Sequence, residues 1–152
     1  MEEDLKVKDI MTKDVVTLDI QASMSEAANL LISRGFTGAP VFKDGAMVGI
    51  VTEVDFFTRD QSLHLPTFLQ LFSQIKVFKK DEQRFKQEFQ RFLDTKVSDI
   101  MTTNVVSVDP NTTVEELAKT FVSKRVNPIP VIKEGKLAGI VSRSDIVKIF
   151  QL

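Results

Sequence analysis

The sequence predicts a mixed α/β (α+β) fold made of two β-α-β-β-α repeats, packed as a pseudo-twofold pair with a helical insert between them. Residues 7–56 recur ninety positions later at 97–146 without a gap, and 19 of the 50 aligned positions are identical. A repeat of this length is a structural unit. The segment 59–94 has no counterpart in the repeat and holds six of the twelve Phe residues. The predicted units are therefore a first repeat over 1–58, the insert over 59–94 and a second repeat over 95–152.

The elements of the first repeat follow from the spacing of its apolar residues. The β-branched run 15–18 predicts a strand, and apolar residues at helical spacing over 24–31 predict a helix. A β-hairpin over 41–51 is expected to turn at the Lys-Asp-Gly sequence of 43–45. A short helix is expected to cover 52–57.

The second repeat predicts the same elements in the same order. They are a strand over 105–108, a helix over 114–122, a hairpin over 129–141 that turns at 134–135, and a final helix that ends at Phe150. One face of the first of these helices carries its bulky apolar residues and is predicted to be buried. That face consists of Val114, Leu117, Ala118, Phe121 and Val122.

The insert predicts two helices with apolar faces. The first begins at Pro66, and its apolar face consists of Phe68, Leu69, Phe72 and Ile75. The second has spacings of four, three and one between its apolar residues, which are Phe85, Phe89, Phe92 and Leu93. Such a stripe packs either on the chain's own repeats or on a second subunit, and the sequence leaves both possibilities open.

Composition and charge limit the classes of function. The formal net charge is -1 and there is no block of Lys and Arg, which argues against a nucleic-acid partner and against a membrane surface. The chain has no cysteine, which excludes disulfides and thiol chemistry and fits a reducing cytoplasm. The N-terminus does not have the basic and then apolar pattern of a signal peptide, and no apolar run is long enough for a membrane span. We therefore expect a soluble, cytoplasmic protein.

Both repeats end in the same local pattern, a hydrophobic strand that runs into a hydroxyl residue with an aspartate three positions later. The pairs are Thr52 with Asp55 and Ser142 with Asp145. A helix start attracts phosphate, the hydroxyl adds a donor, and a carboxylate can accept from two ribose hydroxyls. A glycine three residues before each hydroxyl allows close approach of backbone or base. Each pair could instead be an ordinary helix cap, but its recurrence within a long repeat favours nucleotide binding.

These motifs resemble those of a tandem pair of CBS domains, the Bateman module. The resemblance covers 7–58 and 97–150, about two-thirds of the chain. Several motifs that carry it occur twice at constant offset: the Asp-Ile-Met-Thr run, the loops 36–41 and 126–131 before a Pro-Val strand, the turn with Gly45 or Gly135, and the terminal hydroxyl and aspartate. The chain is therefore identified as a member of that family.

The resemblance implies a binding module rather than an enzyme, with no required cofactor and no metal. Members of the family sense AMP, ADP or ATP, and sometimes S-adenosylmethionine, in clefts between the repeats. Each cleft takes its hydroxyl and aspartate from one repeat, for phosphate and ribose, and its base-contacting loop from the other. By position, the preferred cleft consists of Val15, Phe36, Thr37, Ala39, Ser142, Arg143 and Asp145. The second cleft consists of Thr52, Asp55, Val105, Val126, Asn127 and Ile129.

The two clefts differ at two positions that bear on the ligand. Arg143 stands where the first repeat has Glu53, and Phe36 stands where the second repeat has Val126. A guanidinium favours a polyphosphate, whereas a carboxylate repels it. The ring of Phe36 offers an aromatic wall for the base. We therefore expect the preferred cleft to be the better occupied of the two.

Together these observations predict a regulatory module that senses adenine nucleotides and signals to an effector protein in trans by a conformational change. We expect a homodimer, because CBS pairs commonly associate into disc-shaped dimers. The alternatives are a structural homodimerisation protein with unoccupied clefts, an S-adenosylmethionine binder and a nucleotide-hydrolysing enzyme. No Gly-x-x-x-x-Gly-Lys loop supports hydrolysis. His64 is the single histidine, so no transition-metal site is expected.

Overall fold

The computed structural model describes residues 4–57 and 82–151. The first repeat contains α1 (Val7–Ile10), β1 (Leu18–Asp19), α2 (Met24–Arg34), β2 (Gly38–Lys43), β3 (Ala46–Thr52) and a 3-10 helix (Glu53–Phe56). The second repeat is preceded by α3 (Glu82–Asp94) and opens with a 3-10 helix (Val97–Asp99). It continues with α4 (Val114–Lys124), β4 (Ile129–Lys133), β5 (Lys136–Val141), α5 (Arg143–Lys148) and a last 3-10 helix (Ile149–Gln151). The predicted mixed α/β fold class is confirmed.

Each repeat is built on a β-hairpin whose turn the sequence predicts. β2 pairs antiparallel with β3, and β4 pairs antiparallel with β5. Asp44 and Gly45 have φ of 50° and 78°, and Glu134 and Gly135 have φ of 51° and 76°. Two successive residues with positive φ form the turn whose twist matches that of two-stranded hairpins. Both predicted hairpins are confirmed.

The strands predicted over 15–18 and 105–108 are shorter than expected. β1 contains two residues, which pair in parallel with β2. In the second repeat, Val108 makes a single parallel bridge to Val131. In the first repeat, Val15 and Val16, which suggested a longer strand, line the boundary between the repeats instead of pairing in a sheet.

The equivalent helices α2 and α4 each begin with a reciprocal cap. Ser23 Oγ accepts a hydrogen bond from Glu26 N over 3.1 Å, and the Glu26 carboxylate accepts one from Ser23 N over 2.7 Å. Thr113 and Glu116 form the same pair at the start of α4, with both distances 3.2 Å. A capping box of this kind satisfies amides that have no partner within the helix.

Each of these helices buries one face, and the buried face of α4 is narrower than the sequence predicts. The buried residues of α2 are Met24, Ala27 and Leu31. In α4, Leu117 and Phe121 are buried, but Val122 is 79% exposed. The prediction for Val122 was wrong because this residue follows Phe121 by one position, and successive residues point about 100° apart around a helix.

The leading segment of each repeat, 5–12 or 95–102, packs against the other repeat. Val7 lies in the core of the second repeat, and Val97 lies in the core of the first. Backbone hydrogen bonds hold both crossings: Val7 N donates to Thr112 O over 2.9 Å, and Val97 N donates to Ala22 O over 2.8 Å. Neither repeat therefore completes its core with its own residues alone.

Helix α3 packs on the first repeat. Phe92 is buried and meets Phe56 edge to face, with ring centroids 6.3 Å apart and an interplanar angle of 68°. Phe89 and Leu93 pack against the same core. The second predicted helix of the insert is therefore confirmed, and these three apolar side chains of it pack on the chain's own first repeat.

The helix predicted to begin at Pro66 lies outside the described residues, as does His64. Within the two described ranges, no helix has the length and apolar content needed to cross a bilayer. The same ranges contain no group of three His, Cys, Asp or Glu side chains that could hold a metal ion.

Candidate functional site

A cavity of about 300 Å³ lies at the boundary between the two repeats. The walls contributed by the first repeat include Val15, Arg34, Phe36 and Thr37. The walls contributed by the second repeat include Asn127, Ser142, Ser144, Asp145 and Lys148. The cavity therefore brings one complete hydroxyl–aspartate pair together with the loop of the opposite repeat.

The carboxylate of Asp145 is the centre of a small hydrogen-bond network. Its Oδ2 accepts from Ser142 N over 2.8 Å and from Ser142 Oγ over 3.0 Å. Its Oδ1 accepts from Lys148 Nζ over 3.1 Å. The hydroxyl oxygens of Ser142 and Ser144 are 2.7 Å apart. The Asp145 side chain is 12% exposed and that of Lys148 is 67% exposed, so the ion pair joins a largely buried acid to a solvent-exposed base.

The junction between β5 and α5 sets this geometry. Ser142 is extended, with φ of -119° and ψ of 166°, and α5 begins at the next residue. Asp145 is then the third residue of the helix, and its carboxylate folds back onto the Ser142 amide. An acid in the first turn is favoured by the helix dipole. The pair is thus a helix cap, and it also lies on the wall of the cavity.

Thr52 and Asp55 repeat the arrangement in the first repeat. Thr52 N donates to Asp55 Oδ2 over 2.7 Å, and Thr52 Oγ1 donates to the same oxygen over 3.4 Å. Burial raises the pKa of the Asp55 carboxyl above its ordinary value of 3.8, although both hydrogen bonds from Thr52 oppose the rise. The position of Lys148 is taken here by Thr58, which lies outside the described residues. The second repeat therefore supplies a cation that the first lacks at this position.

Asn127 lies on the same cavity as Thr37, although the sequence assigned these two residues to different clefts. Its side-chain Nδ2 donates to Thr37 Oγ1 over 3.3 Å. Its Oδ1 accepts from Arg143 N over 3.0 Å, at the first residue of α5. The Asn127 side chain therefore connects the loop of the first repeat to the helix that carries Asp145.

Two residues assigned to the preferred cleft, Ala39 and Arg143, do not line this cavity, and of those assigned to the second cleft only Asn127 does. Ala39 and Ile129 are fully buried in the cores of their repeats. Arg143 is exposed and lines a separate surface depression of about 270 Å³ with Phe121 and other residues. Because Arg143 precedes Asp145 by two positions, its side chain points to the opposite side of α5. The structure does not bring its side chain onto the wall of this cavity, and its role toward a ligand stays a prediction.

The remaining members of the second cleft are half-buried, and their role stays a prediction. They are Thr52, Asp55, Val105 and Val126.

Two cations on the cavity wall, Lys148 and Arg34, were not among the predicted site residues. Lys148 follows Asp145 by three positions, so both side chains lie on one face of α5. This spacing is visible in the sequence and could have identified Lys148. Arg34 is the last residue of α2, which ends at Gly35 with φ of 65°. Its position depends on how that helix ends, and no local motif marks it.

The glycine three residues before each hydroxyl, Gly49 or Gly139, allows the backbone of the other repeat to come close. A Cβ atom on Gly139 would lie 2.9 Å from Thr12 O and 2.6 Å from Met11 Sδ. Gly49 has the same relation to Thr102 O, at 2.8 Å. Contacts this short require the neighbour to move, so each glycine is needed for the approach of the other repeat's leading segment.

Comparison with known proteins identifies the family. The model of the CBS domain matches the chain twice, over residues 7–61 and 97–152. The uncharacterized protein MJ1426 of Methanocaldococcus jannaschii is 34% identical over 155 residues, which cover 96% of this chain and 91% of that protein. The similarity therefore extends along nearly the whole of both chains.

Two solved structures share the fold. CBSX2, a chloroplastic protein of Arabidopsis thaliana, was crystallised in complex with AMP and has a TM-score of 0.69 and 24% identity over 97% of both chains. The CBS domain pair of protein MJ0100, in complex with 5′-methylthioadenosine and S-adenosyl-L-methionine, has a TM-score of 0.68 and 23% identity over 98% of both chains. With two matched CBS domains and a relative that is similar over its full length, this chain belongs to the CBS-domain family.

Proposed function

We propose that this chain is a regulatory module that binds an adenine nucleotide, AMP, ADP or ATP, in the cavity between its repeats. One observation carries the proposal: Ser142 and Asp145 of the second repeat line the same cavity of about 300 Å³ as Phe36 and Thr37 of the first. That volume is at the lower end of the range of about 300–1,000 Å³ that is usual for small-molecule sites.

Each part of a nucleotide has a chemical partner on these walls. The side chain of Phe36 is on the cavity, and the residue is 38% exposed, so its ring can offer a face to adenine. The Asp145 carboxylate can accept hydrogen bonds from the ribose, and the Ser142 hydroxyl can donate to a phosphate. Arg34 and Lys148 add positive charge. Asp14 and Asp145 on the same wall carry the balancing negative charge, so a phosphate is favoured over the cationic sulfonium of S-adenosylmethionine where it contacts one of the two cations, and we rank that ligand below the nucleotides.

The ligands of similar proteins support the adenosine part of the proposal. CBSX2 was crystallised with AMP, and MJ0100 was crystallised with 5′-methylthioadenosine and S-adenosyl-L-methionine. These ligands share adenine and ribose and differ at the 5′ position. The preference for a 5′-phosphate in this chain rests on its own cations.

We further propose that the module acts as a homodimer and signals to an effector protein in trans. Ile32 of α2 and Val122 of α4 are 82% and 79% exposed and occupy equivalent positions of the two repeats. Val147 and Phe150 are also exposed, and apolar side chains in such numbers indicate an interaction surface. A ligand can shift the conformation only by as much as its affinity differs between two states. Light scattering tests the homodimer, and a monomeric mass would contradict it. The cytoplasmic location also stays a prediction.

Unfolding measurements with AMP, ADP, ATP and S-adenosylmethionine test the proposal. A ligand at 100 times its Kd adds about 2.7 kcal/mol to the free energy of unfolding. We expect such a shift with at least one nucleotide and a much smaller shift in Asp145→Ala at the same concentration. If no ligand shifts the stability at millimolar concentration, the proposal is wrong and the structural homodimer with unoccupied clefts is favoured. Phosphate release from ATP should be absent, because we propose binding and not hydrolysis.

A further inference from the structure

We propose that Lys148 is the specificity-determining residue of this cavity and that it selects adenosine ligands that carry a 5′-phosphate. In this proposal the ammonium group leaves Asp145 when ribose binds, and it pairs with the phosphate of the same ligand. The inference rests on the proposed function, and it concerns how one site distinguishes ligands that share adenine and ribose.

The first step is a count of hydrogen-bond acceptors on Asp145. An ionised carboxylate offers about four lone-pair positions. Three donors already use the group: Ser142 N at 2.8 Å, Ser142 Oγ at 3.0 Å and Lys148 Nζ at 3.1 Å. A ribose that donates both of its hydroxyls needs two positions. At least one of the three present donors must therefore leave when such a ligand binds.

The second step identifies the donor that leaves. Both bonds from Ser142 go to Oδ2, and the backbone amide among them is fixed by the junction of β5 and α5. The other oxygen, Oδ1, is held by Lys148. Lys148 has a long side chain that is 67% exposed, and its ammonium is carried on a flexible stem. Ser142 Oγ, which the proposed function turns toward a phosphate, would free a position only on Oδ2, so Oδ1 becomes fully open to the second ribose hydroxyl only when Lys148 leaves.

The third step concerns the charge that remains. Once ribose occupies Asp145, the ammonium of Lys148 lies beside the cavity without its carboxylate. A 5′-phosphate on the same ligand provides a new charge-assisted partner. The uncharged thioether of 5′-methylthioadenosine provides none, and a sulfonium repels the ammonium. The cavity wall also carries Asp14 and Arg34. Their opposite charges balance, so the net charge near the phosphate depends on Lys148 and Asp145.

The chain offers a matched pair of variants. Lys148→Thr introduces the residue that stands at the equivalent position of the first repeat, Thr58. The control is Lys119→Thr, because Lys119 also forms an ion pair within a helix, with Glu115 at 2.6 Å. Lys119 does not line the cavity. Lys148→Arg keeps the positive charge and should preserve the preference for a phosphate.

The test is calorimetry with AMP and with 5′-methylthioadenosine, at low and at physiological salt. We expect Lys148→Thr to weaken AMP binding about tenfold, as the loss of one charge-assisted hydrogen bond predicts. Its affinity for 5′-methylthioadenosine should be unchanged or higher, because Asp145 is already free. Lys119→Thr should match the wild type with both ligands. Added salt should weaken AMP binding more than 5′-methylthioadenosine binding in the wild type.

The outcomes separate this inference from the proposed function. If Lys148→Thr weakens both ligands equally, or leaves AMP binding unchanged, Lys148 does not select phosphate and the inference is overturned while the binding site stands. Loss of AMP binding in Lys148→Arg also overturns it, because the charge is retained there. If the wild type binds neither ligand and no nucleotide shifts its stability, the proposed function itself fails; if only ADP or ATP shifts it, that nucleotide replaces AMP in the comparison. Urea unfolding of each variant establishes that the comparison is made on folded protein.

Discussion

Asn127 Nδ2 donates a hydrogen bond to Thr37 Oγ1 over 3.3 Å, across the boundary between the two repeats. The two residues occupy the same position of their repeats, ninety residues apart. Each also contacts the helix start of a hydroxyl–aspartate pair: Glu53 N donates to Thr37 O over 2.8 Å, and Arg143 N donates to Asn127 Oδ1 over 3.0 Å. The side-chain hydrogen bond between Thr37 and Asn127 therefore links the starts of the two helices that carry the hydroxyl–aspartate pairs.

Replacement of Thr37 by Val tests how much the hydrogen bond from Asn127 contributes to the free energy of unfolding. The substitution keeps the shape of the side chain but leaves the half-buried amide of Asn127 without this acceptor. We expect the free energy of unfolding to fall by about 1–2 kcal/mol, measured by urea denaturation. Thr17→Val, at an exposed position, should change it by less than about 0.5 kcal/mol. Equal stability of the two variants would show that the bond contributes nothing to the repeat interface.

The elements that local chemistry determines were predicted from the sequence. The Asp-Gly and Glu-Gly pairs fix both hairpin turns, because few residues accept two successive positive φ angles. The run at 15–18 predicts a strand, but β1 contains only Leu18 and Asp19. β-Branched residues also pack well at half-buried surfaces outside a sheet, and a strand needs a neighbouring strand with free backbone groups. The sequence around Val15 does not reveal that β2 offers pairing positions only to Leu18 and Asp19.

The sequence predicted the positions of site residues that belong to a short local motif. It did not predict the positions of residues that depend on how the two repeats pack together. The hydroxyl–aspartate pair and Phe36 lie on the cavity as expected. Arg143 lies on a different depression, because the direction of α5 decides which side its guanidinium faces. Asn127 was assigned to the second cleft and lines the cavity of the preferred one, because it lies at the boundary and contacts both repeats.

The crossing of the leading segments predicts that each repeat depends on the other for stability. Val97 is fully buried in the core of the first repeat, although it belongs to the sequence of the second. Val97→Ala should lower the free energy of unfolding by about 2 kcal/mol, from lost burial and from the cavity that remains. The measurement is urea denaturation, with the exposed Val122→Ala as control. If Val97→Ala were as mild as that control, the first repeat would not need the leading segment of the second.

The raised pKa of Asp55 predicts a pH dependence of stability with a definite sign. Burial raises the pKa above 3.8, so the folded state binds this proton more tightly than the unfolded state does. The contribution of the group to stability is then fully present below pH 3.8 and is lost as the pH rises through the raised pKa. Asp55→Asn removes the titration and keeps an acceptor for the Thr52 amide.

The stability advantage of the wild type over Asp55→Asn should therefore increase as the pH falls from 7 toward 4. Urea denaturation of both proteins at several pH values measures this difference. Asp44→Asn, which removes an exposed carboxylate from a turn that tolerates Asn, serves as the control. A difference that shrinks as the pH falls would mean that hydrogen bonds from Thr52 outweigh the burial of Asp55.

The unequal surroundings of the two aspartates predict unequal effects on nucleotide affinity. Asp145 lies on the described cavity beside Lys148, whereas Asp55 has Thr58 at the equivalent position. Asp145→Ala removes the acceptor of two ribose hydroxyls, and two charge-assisted hydrogen bonds correspond to a loss of at least about 100-fold in affinity. Asp55→Ala should change the affinity of the tighter site by less than about threefold. Both variants lose a similar helix cap, so we expect each to lose a comparable amount of stability. A difference in nucleotide affinity between them would therefore not come from a difference in stability. Calorimetry that found the reverse order would place the tighter site at Thr52 and Asp55 and would contradict the choice of the cavity at Ser142 and Asp145 as the preferred cleft.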